Sequence, residues 1–327
     1  MQVKVDNLFN KKDEKLIENY LVNSNDFVTS FKLFGKKERT IITYKKDSNG
    51  EKLRRIHEKI KNYLEYKLNI ASSSFAYKRN TNCLDCLNMH KKSLSFIKSD
   101  ISNYFDSIDI DNLILICICN ISKLKIQDYY DVLNNKELIY KYIDKDNFLL
   151  LEKIIKVCFV DNKLPIGLVT SPILANVYLY FVDQKISSNK KIIYTRYCDD
   201  ILISITKDKY QSLLEETFET LKQELLNLKL YINEKKTRNV VLNENNYLKY
   251  LGVIIVKNKG NNKFCISTSF IRNTIYEYKE NQDDIKNHIE VLAKIRYIYN
   301  MSKTSYEKFK KSFKVIIKQN FDDKLIK

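Results

Sequence analysis

Hydrophobic positions recur along this chain at two spacings, three to four residues in some stretches and two residues in others. Helical spacing is clearest over residues 52–68, where Leu53, Ile56 and Ile60 would share one face opposite basic side chains. Alternation with a period of two predicts a strand over residues 95–101. Further helices are predicted over residues 13–22, 83–92, 172–186 and 207–228, and residues 109–159, in two or three pieces, and 268–327 are also predicted to be helical. Further strands are predicted within residues 31–44, 191–205, 231–241 and 250–256.

The order of these elements is irregular, without a repeating strand–helix–strand unit, which predicts an α+β fold. Residues 31–44 are typical of a hairpin that turns at Gly35-Lys36-Lys37. Residues 45–51 contain Asn49-Gly50 and predict a loop. Gly252 is expected inside the strand predicted over residues 250–256.

Two adjacent acids, Asp199 and Asp200, stand between two apolar runs within residues 191–205. The pattern predicts a tight strand–turn–strand with both carboxylates at its tip. The tip has neither Gly nor Asn, so ordinary turn chemistry does not account for the acids. Adjacent carboxylates repel each other unless a cation lies between them. On this stretch alone, a solvated turn and a cation site both stay open.

Composition describes an ordinary folded chain with an unusual charge. The 327 residues are 44% hydrophobic and 30% charged, and the net charge is +17. Basic residues are spread along the whole sequence, which favours a polyanion partner, with nucleic acid as the first candidate. No apolar run approaches a membrane span, no secretory segment is apparent, and the seven cysteines are an odd number. We therefore expect a cytoplasmic protein without a membrane partner.

Asp100 ends the strand predicted over residues 95–101. If that strand neighbours the hairpin of Asp199 and Asp200 in an antiparallel sheet, three carboxylates converge. Such a cluster commonly holds two divalent cations about 4 Å apart. Mg²⁺ suits oxygen ligands and shared phosphates, and Mn²⁺ could replace it. Two such ions can activate a 3′-hydroxyl and stabilise leaving pyrophosphate, so a basic chain with this cluster suggests nucleotidyl transfer.

Five segments, in order and at suitable spacing, make the chain resemble reverse transcriptases from about residue 27 to 280. Each is weak alone, and the set is specific. They are residues 98–108, similar to the first catalytic block; residues 164–179, similar to the template-and-nucleotide block; residues 197–200, the Tyr-x-Asp-Asp box; residues 232–237, similar to the Asn-x-x-Lys-Thr element; and residues 250–252, similar to the primer grip.

The resemblance implies a right-hand polymerase with fingers, a palm containing an antiparallel sheet, and a helical thumb. The implied division is fingers with an N-terminal helix at 1–94, palm at 95–110, fingers and palm helices at 111–163, palm with the acidic hairpin and the primer grip at 164–256, and a basic helical thumb at 257–327.

The resemblance also assigns roles at the reaction centre. Asp100, Asp199 and Asp200 become the metal ligands, assisted by the backbone carbonyl of Ile101. Phe105 would lie under the incoming sugar and exclude a 2′-hydroxyl, with a core aromatic as the alternative. The candidate proton donor to pyrophosphate is Lys236, with Lys235 as a rival.

Further roles concern substrate and primer. Three basic residues loosely match positions that clasp the triphosphate, and a surface-charge role stays equally open for Arg39, Lys78 and Arg79. Two residues of the template block would lie near the nucleotide, Ile166 and Gly167. The primer and template would contact Tyr197, Cys198, Tyr250, Leu251 and Gly252.

Three departures from the usual motifs indicate which reverse transcriptases the chain resembles most. Ile166 stands where reverse transcriptases usually have Gln, which resembles abortive-infection and other defence-associated bacterial enzymes; retron enzymes are the next nearest resemblance. The retron Val-Thr-Gly is missing after the grip, and the retron Asn-Ala-x-x-His element is at best degenerate at His90. That histidine could be structural. Cys83 and Cys86 form a single Cys-x-x-Cys, and whether they bind zinc stays open.

The sequence therefore predicts an RNA-directed DNA polymerase using dNTPs, an RNA template and a DNA product, in bacterial antiviral defence. A dedicated noncoding RNA, a protein partner or a second copy is expected to assist it. Two alternatives stay open: an untemplated or protein-primed DNA polymerase of the same fold, and a catalytically inactive RNA-binding scaffold.

Overall fold

A computed structural model describes residues 2–34, 38–281 and 284–326 of the chain. It combines helices with antiparallel sheets, as expected for an α+β fold. The helices are α1 Lys11–Val22, α2 Ser48–Lys67, α3 Cys83–Met89, α4 Ile110–Ile121, α5 Ile126–Asn134, α6 Lys145–Lys156, α7 Ser171–Tyr178, α8 Tyr180–Ser187, α9 Gln211–Asn227, α10 Thr268–Glu280, α11 Ile285–Met301 and α12 Lys303–Ile317. The strands are β1 Val28–Leu33, β2 Arg39–Tyr44, β3 Ser95–Asp100, β4 Ile193–Tyr197, β5 Asp200–Ile205, β6 Arg238–Val241, β7 Tyr247–Tyr250, β8 Val253–Val256 and β9 Lys263–Ile266.

The central sheet has the antiparallel strand order β4-β5-β3-β6. Strands β4 and β5 form the predicted acidic hairpin, and β3 lies directly beside β5. The register sets Asp100 opposite Asp200 and Ile97 opposite Ile203. The neighbouring position of the two acidic strands, on which the sequence argument depended, is confirmed.

Both faces of this sheet are covered, because side chains alternate between two hydrophobic clusters. Ile97 and Ile203 belong to one cluster, which fills the space beneath α4 and α7–α9. Phe96 and Leu202 belong to the other, which is shared with β7–β9 and α10–α12. The sheet therefore joins the two halves of the described structure and carries the acids at its end.

Helix α2 begins earlier than the sequence predicts. Asp47 caps it by accepting a hydrogen bond from the backbone N–H of Gly50 at 2.8 Å. Asn49-Gly50 is therefore in the first helical turn, and the predicted loop was wrong there. A Cβ at Gly50 would lie 2.1 Å from the carbonyl oxygen of Lys45, so close packing rather than a turn requires the glycine.

The predicted strand over residues 250–256 is in fact a hairpin turn between two strands. Leu251 and Gly252 have φ of +49° and +77°, so the chain reverses between β7 and β8. The stretch 231–241 also differs, because its strand comes at the end, as β6, and not at the start.

Two other expectations have mixed outcomes. The helix predicted over residues 172–186 is divided into α7 and α8 at Leu179. Strands β1 and β2 pair as predicted, while the turn at Gly35-Lys36-Lys37 lies outside the described residues. None of the described helices has the length and apolar character needed to cross a membrane.

Candidate active site

Three aspartates meet at the end of the central sheet. Asp100 is the last residue of β3, Asp200 is the first residue of β5, and Asp199 lies in the two-residue tip before it. One carboxylate oxygen from each lies within 4.8 Å of the other two. Within the described ranges, no other group of three acidic, histidine or cysteine side chains comes together in this way. Hard oxygen donors at this spacing fit Mg²⁺ or Mn²⁺.

The electrostatics of the cluster favour cation binding. Burial, together with the charges of Asp199 and Asp100, raises the pKa of Asp200 to about 6. Burial and Asp100 also raise the pKa of Asp199. Lys236 partly compensates, since its Nζ lies 2.8 Å from Oδ2 of Asp100. A divalent cation would relieve the remaining repulsion between the carboxylates.

The hairpin tip is conformationally unusual. Cys198 has φ of +61°, a left-handed conformation that costs a non-glycine residue about 1–2 kcal/mol. Two hydrogen bonds hold the tip: the Arg196 guanidinium donates to the Cys198 carbonyl at 3.0 Å, and the Ile101 N–H donates to the Asp199 carbonyl at 3.1 Å. The absence of Gly and Asn noted in the sequence is thus compensated by contacts from outside the turn.

The predicted primer grip contacts this hairpin directly. The buried Tyr250 hydroxyl donates to the Asp200 carbonyl at 3.1 Å. Lys98 donates to the Lys249 carbonyl at 3.0 Å, which ties the grip to β3. The half-buried Tyr197 lies opposite Asp200 in the hairpin, and the buried Cys198 directly precedes Asp199. The structure therefore brings these grip and hairpin residues together.

The loop that holds Ile166 and Gly167, called the nucleotide loop because it belongs to the predicted template-and-nucleotide block, is attached to β2. The N–H of Ile42 donates to the Ile166 carbonyl at 2.8 Å. Gly167 has φ of +119°, and a Cβ there would lie 2.3 Å from the Ile42 carbonyl oxygen. Only glycine fits this close approach. The Ile166 side chain is 36% exposed and leaves an apolar surface at this position.

The aromatic of the first block is placed by a short turn after β3. Phe105 is half-buried and packs edge-to-face on Tyr104, with ring centroids 5.9 Å apart. Tyr104 is buried and donates to the Ala175 carbonyl. One face of Phe105 is therefore supported by a fixed neighbour while the ring keeps some exposure.

The three candidate triphosphate ligands are not joined to the aspartates by any hydrogen bond or ion pair in the part of the chain that the structure describes. Arg39 is exposed on β2. Arg79 is exposed and pairs with Glu65 of α2 at 2.9 Å. Lys78 is also exposed, but its neighbour Tyr77 lies against Cys198, and burial together with that thiol raises the pKa of Tyr77. Tyr77 brings this loop to the hairpin tip.

Comparison with known proteins identifies the family. Residues 45–255 match the sequence profile of the family described as "Reverse transcriptase (RNA-dependent DNA polymerase)". This chain belongs to the reverse transcriptase family. It is an enzyme, an RNA-directed DNA polymerase and hence a nucleotidyltransferase, and it has the right-hand polymerase fold of that family, as the resemblance implied.

Two curated reverse transcriptases from Escherichia coli are similar to it. The Retron Ec83 reverse transcriptase is 23% identical over 271 residues, covering 80% of each chain. The Retron Ec73 reverse transcriptase is 26% identical over 185 residues, covering 54% of each chain, so the match spans about half the length of this second relative. The retron relationship expected from the sequence is confirmed.

Solved telomerase structures also match. Apo telomerase from Candida tropicalis matches with a TM-score of 0.45 at 13% identity, covering 95% of this chain and 67% of that one. The same telomerase with a fragment of telomeric RNA gives a TM-score of 0.46 at 15% identity, covering 94% and 58%. Likeness at this level adds nothing to the family assignment.

In this reverse transcriptase, the degenerate retron histidine has a structural role. Both ring nitrogens of the buried His90 contact hydroxyls, Nδ1 with Ser204 at 2.6 Å and Nε2 with Thr195 at 2.7 Å. Cys86 contacts Thr195 as well, and Cys83 faces Met301. These three side chains do not form a ligand cluster within the described residues.

Two residues of the reverse transcriptase site carry no signal in the sequence. Tyr77, which itself has φ of +57°, reaches Cys198 from the loop that precedes α3. The Tyr297 hydroxyl of α11 donates to the Leu251 carbonyl at 3.1 Å and lies over the grip turn. Their partners are distant along the chain, so no local spacing could reveal them.

Proposed function

We propose that this reverse transcriptase extends a 3′-hydroxyl with deoxynucleotides at Asp100, Asp199 and Asp200, using two Mg²⁺ ions. The observation that carries the proposal is the convergence of three carboxylates within 4.8 Å on adjacent strands. When bound, such ions promote ionisation of the attacking hydroxyl and neutralise charge on the leaving pyrophosphate. Mn²⁺ would be accepted by the same oxygen donors.

Protein groups around the aspartates have supporting roles in this proposal. The carbonyl of Ile101 adds an oxygen ligand, and its N–H hydrogen bond to Asp199 keeps that stretch of backbone beside the tip. Lys236 is proposed to donate a proton to pyrophosphate, since its ammonium already lies at the cluster. Lys235 has no side-chain contact with an aspartate in the described residues, which favours Lys236.

Substrate selection is proposed to depend on Phe105. Its ring is supported by Tyr104, so it would resist displacement by a 2′-hydroxyl and favour deoxynucleotides. Arg39, Lys78 and Arg79 are proposed to bind the triphosphate. The Arg79–Glu65 pair is exposed and contributes little, so a phosphate could replace the carboxylate at small cost.

The primer end is proposed to rest on Tyr197 and Cys198, with the turn at 250–252 behind it. This arrangement is supported by the hydrogen bond from Tyr250 to the Asp200 carbonyl, which couples the grip to the metal site. Residues 257–327 are proposed to form the thumb and 1–94 the fingers, with the palm and its helices between them. The proposed boundary between palm and thumb, at residues 256–257, lies between β8 and β9, which belong to one sheet.

We further propose an RNA template, a DNA product and an associated noncoding RNA, with bacterial antiphage defence as the setting. The net charge of +17 supports a polyanion partner. The resemblance of Ile166 to defence-associated enzymes supports the setting. A protein partner or second copy belongs to the same proposal.

Incorporation of labelled dNTP by the purified protein with its RNA tests the assignment. Asp199→Ala with Asp200→Ala should abolish incorporation, because two of the three carboxylates are lost. Asp146→Ala with Asp208→Ala, which removes two exposed acids of equal charge, should leave it unchanged. Equal incorporation by both double variants would refute the catalytic assignment of these aspartates, whereas no incorporation by the unsubstituted protein would favour an inactive RNA-binding scaffold.

A second candidate is untemplated or protein-primed synthesis on the same fold. It is favoured by the exposed aliphatic side chain of Ile166, where the family usually places an amide near the nucleotide and template. Sequencing the product separates the two candidates. A product that matches an RNA supports templated synthesis, whereas a product unrelated to any RNA present supports the second candidate.

A further inference from the structure

The side chain of Arg196 is completely buried, two residues before the hairpin tip. An uncompensated charge at such depth would be costly. Asp183 of α8, equally buried, compensates it: Nε lies 2.9 Å from Oδ1 and Nη2 lies 2.6 Å from Oδ2. The Tyr194 hydroxyl also donates to Asp183 at 2.7 Å. The planar guanidinium therefore binds both oxygens of the carboxylate at once, a geometry that lysine cannot reproduce.

The remaining guanidinium donors reach two other elements. Nη1 donates to the Cys198 carbonyl at 3.0 Å. Nη2 donates to the backbone carbonyl of Asn176 on α7 at 3.0 Å and to its side-chain oxygen at 3.2 Å. Because Cys198 has φ of +61°, the bond to its carbonyl lies where the backbone most needs support.

The same residues hold the loop that carries Tyr77. The Asn176 side chain donates to the Ala76 carbonyl at 2.8 Å. The backbone of Arg196 pairs with the loop as well, accepting from Phe75 at 2.9 Å and donating to Ser73 at 2.9 Å. One buried arginine thus contacts the acidic tip directly and the neighbouring loop through its backbone and Asn176.

We propose that Arg196, together with Asp183 and Asn176, is a positioning residue that sets the geometry of the cation site. It fixes the tip so that Asp199 and Asp200 face Asp100, and it fixes residues 73–76 beside that tip. The proposal rests on the proposed function, because it concerns the same cation site. A buried ion pair by itself adds little stability compared with apolar residues. The specific contribution of Arg196 is therefore the hydrogen bond to the carbonyl of Cys198, whose backbone is strained.

Arg196→Lys is the direct test. Lysine retains the charge opposite Asp183 but cannot donate to Asp183, Asn176 and Cys198 together. Manganese binding to the nucleotide-free protein, followed by electron paramagnetic resonance, should weaken about tenfold, the scale for losing one charge-assisted hydrogen bond. Amide hydrogen exchange should accelerate in residues 73–76 and 197–200.

Lys185→Met is the matched control. It breaks another ion pair of α8, in which Lys185 Nζ lies 2.6 Å from Glu224 Oε1, and it leaves the contacts between Asp183 and Arg196 in place. A folded Lys185→Met protein should bind manganese as the unsubstituted protein does. If Arg196→Lys is folded and matches this control in both manganese affinity and exchange, the positioning role is refuted.

Asn176→Ala keeps the test decisive if Arg196→Lys does not fold. It leaves the ion pair intact and removes the link to Ala76, so exchange at residues 73–76 should accelerate. Unchanged exchange there would overturn the proposal. A failure of the proposed function would look different. The unsubstituted protein would then bind manganese no better than the Asp199→Ala, Asp200→Ala variant.

Discussion

Gly167 lies against β2, and Gly167→Ala is the substitution with the most sharply defined cost. The residue has φ of +119°, which side chains rarely adopt, and a Cβ would lie 2.3 Å from the Ile42 carbonyl oxygen. Backbone atoms on both sides of the contact would have to move. The hydrogen bond from Ile42 to the Ile166 carbonyl, 2.8 Å long, lies next to this contact and would lengthen.

The magnitude follows from these two effects. Backbone strain at such φ costs about 1–3 kcal/mol, and loss of one backbone hydrogen bond costs about 1 kcal/mol. We therefore expect the free energy of unfolding to fall by about 2–4 kcal/mol. For a chain of this size, at about 2 °C per kcal/mol, the melting temperature should fall by about 4–8 °C.

Gly260→Ala supplies the matched control. Gly260 also has positive φ, +83°, but a Cβ there would meet no atom within 4 Å. Its substitution measures strain without a clash and should cost about 1 kcal/mol. Both variants would be measured by thermal denaturation, and their KM for dNTP would be compared in the incorporation assay.

Gly167→Ala should also raise the KM for dNTP, because the loop would leave its place on β2, while Gly260→Ala should not. The reasoning is refuted if Gly167→Ala is no more destabilising than Gly260→Ala. That result would mean that the loop accommodates a methyl group without moving β2.

Three further predictions concern single side chains. Phe105→Ala should raise incorporation of rNTP relative to dNTP by at least about tenfold, and an unchanged ratio in competition assays would count against a sugar gate. Lys236→Ala should lower kcat by about 10²-fold or more while Lys235→Ala changes it little, as single-turnover rates would show; equal effects would exclude a specific role for Lys236. Burial lowers the pKa of His57 to about 4, with Nε2 bonded to the Val157 carbonyl and Nδ1 to the Tyr44 hydroxyl. Since the unfolded chain binds the proton near 6.5, stability should be undiminished above pH 6.5 and should fall by about 3 kcal/mol between pH 6.5 and 4. Denaturant titrations should show that His57→Gln removes this part of the pH dependence, and an unaltered pH profile in that variant would contradict it.

The aspartate cluster could be predicted because its determinants are local. Each acid ends or begins an apolar run, and antiparallel pairing needs only that the two runs be neighbours. The register that sets Asp100 opposite Asp200 confirms that step. The family resemblance then supplied the roles that the pattern alone could not.

The contacts that hold the cluster could not be predicted, because they are distant along the chain. In a chain of net charge +17, an arginine within a strand is more readily interpreted as a surface charge than as a buried one. Arg196 is buried because Asp183, on a separate element, compensates it. Tyr77 likewise reaches Cys198 through a loop whose course no periodicity describes.

Two errors have simple physical reasons. Asn49-Gly50 resembles a turn, but Asp47 supplies a helix cap and Lys45 leaves no space for a side chain at position 50. The run from Tyr250 to Val256 is apolar enough for one strand, but Gly252 allows a tight reversal within it. Hydrophobicity predicts that this second run is buried and does not predict that the chain reverses within it.

The grip turn belongs to a sheet that continues into β9, and β9 packs on the same apolar cluster as helices α10–α12. Tyr297 adds a hydrogen bond from α11 to Leu251 at the turn itself. Tilting of the C-terminal helices would therefore move β7–β9, the strands proposed to lie behind the primer end. If a duplex leans against those helices, as the proposed thumb implies, its displacement would reach the primer end, and translocation would be coupled to primer alignment.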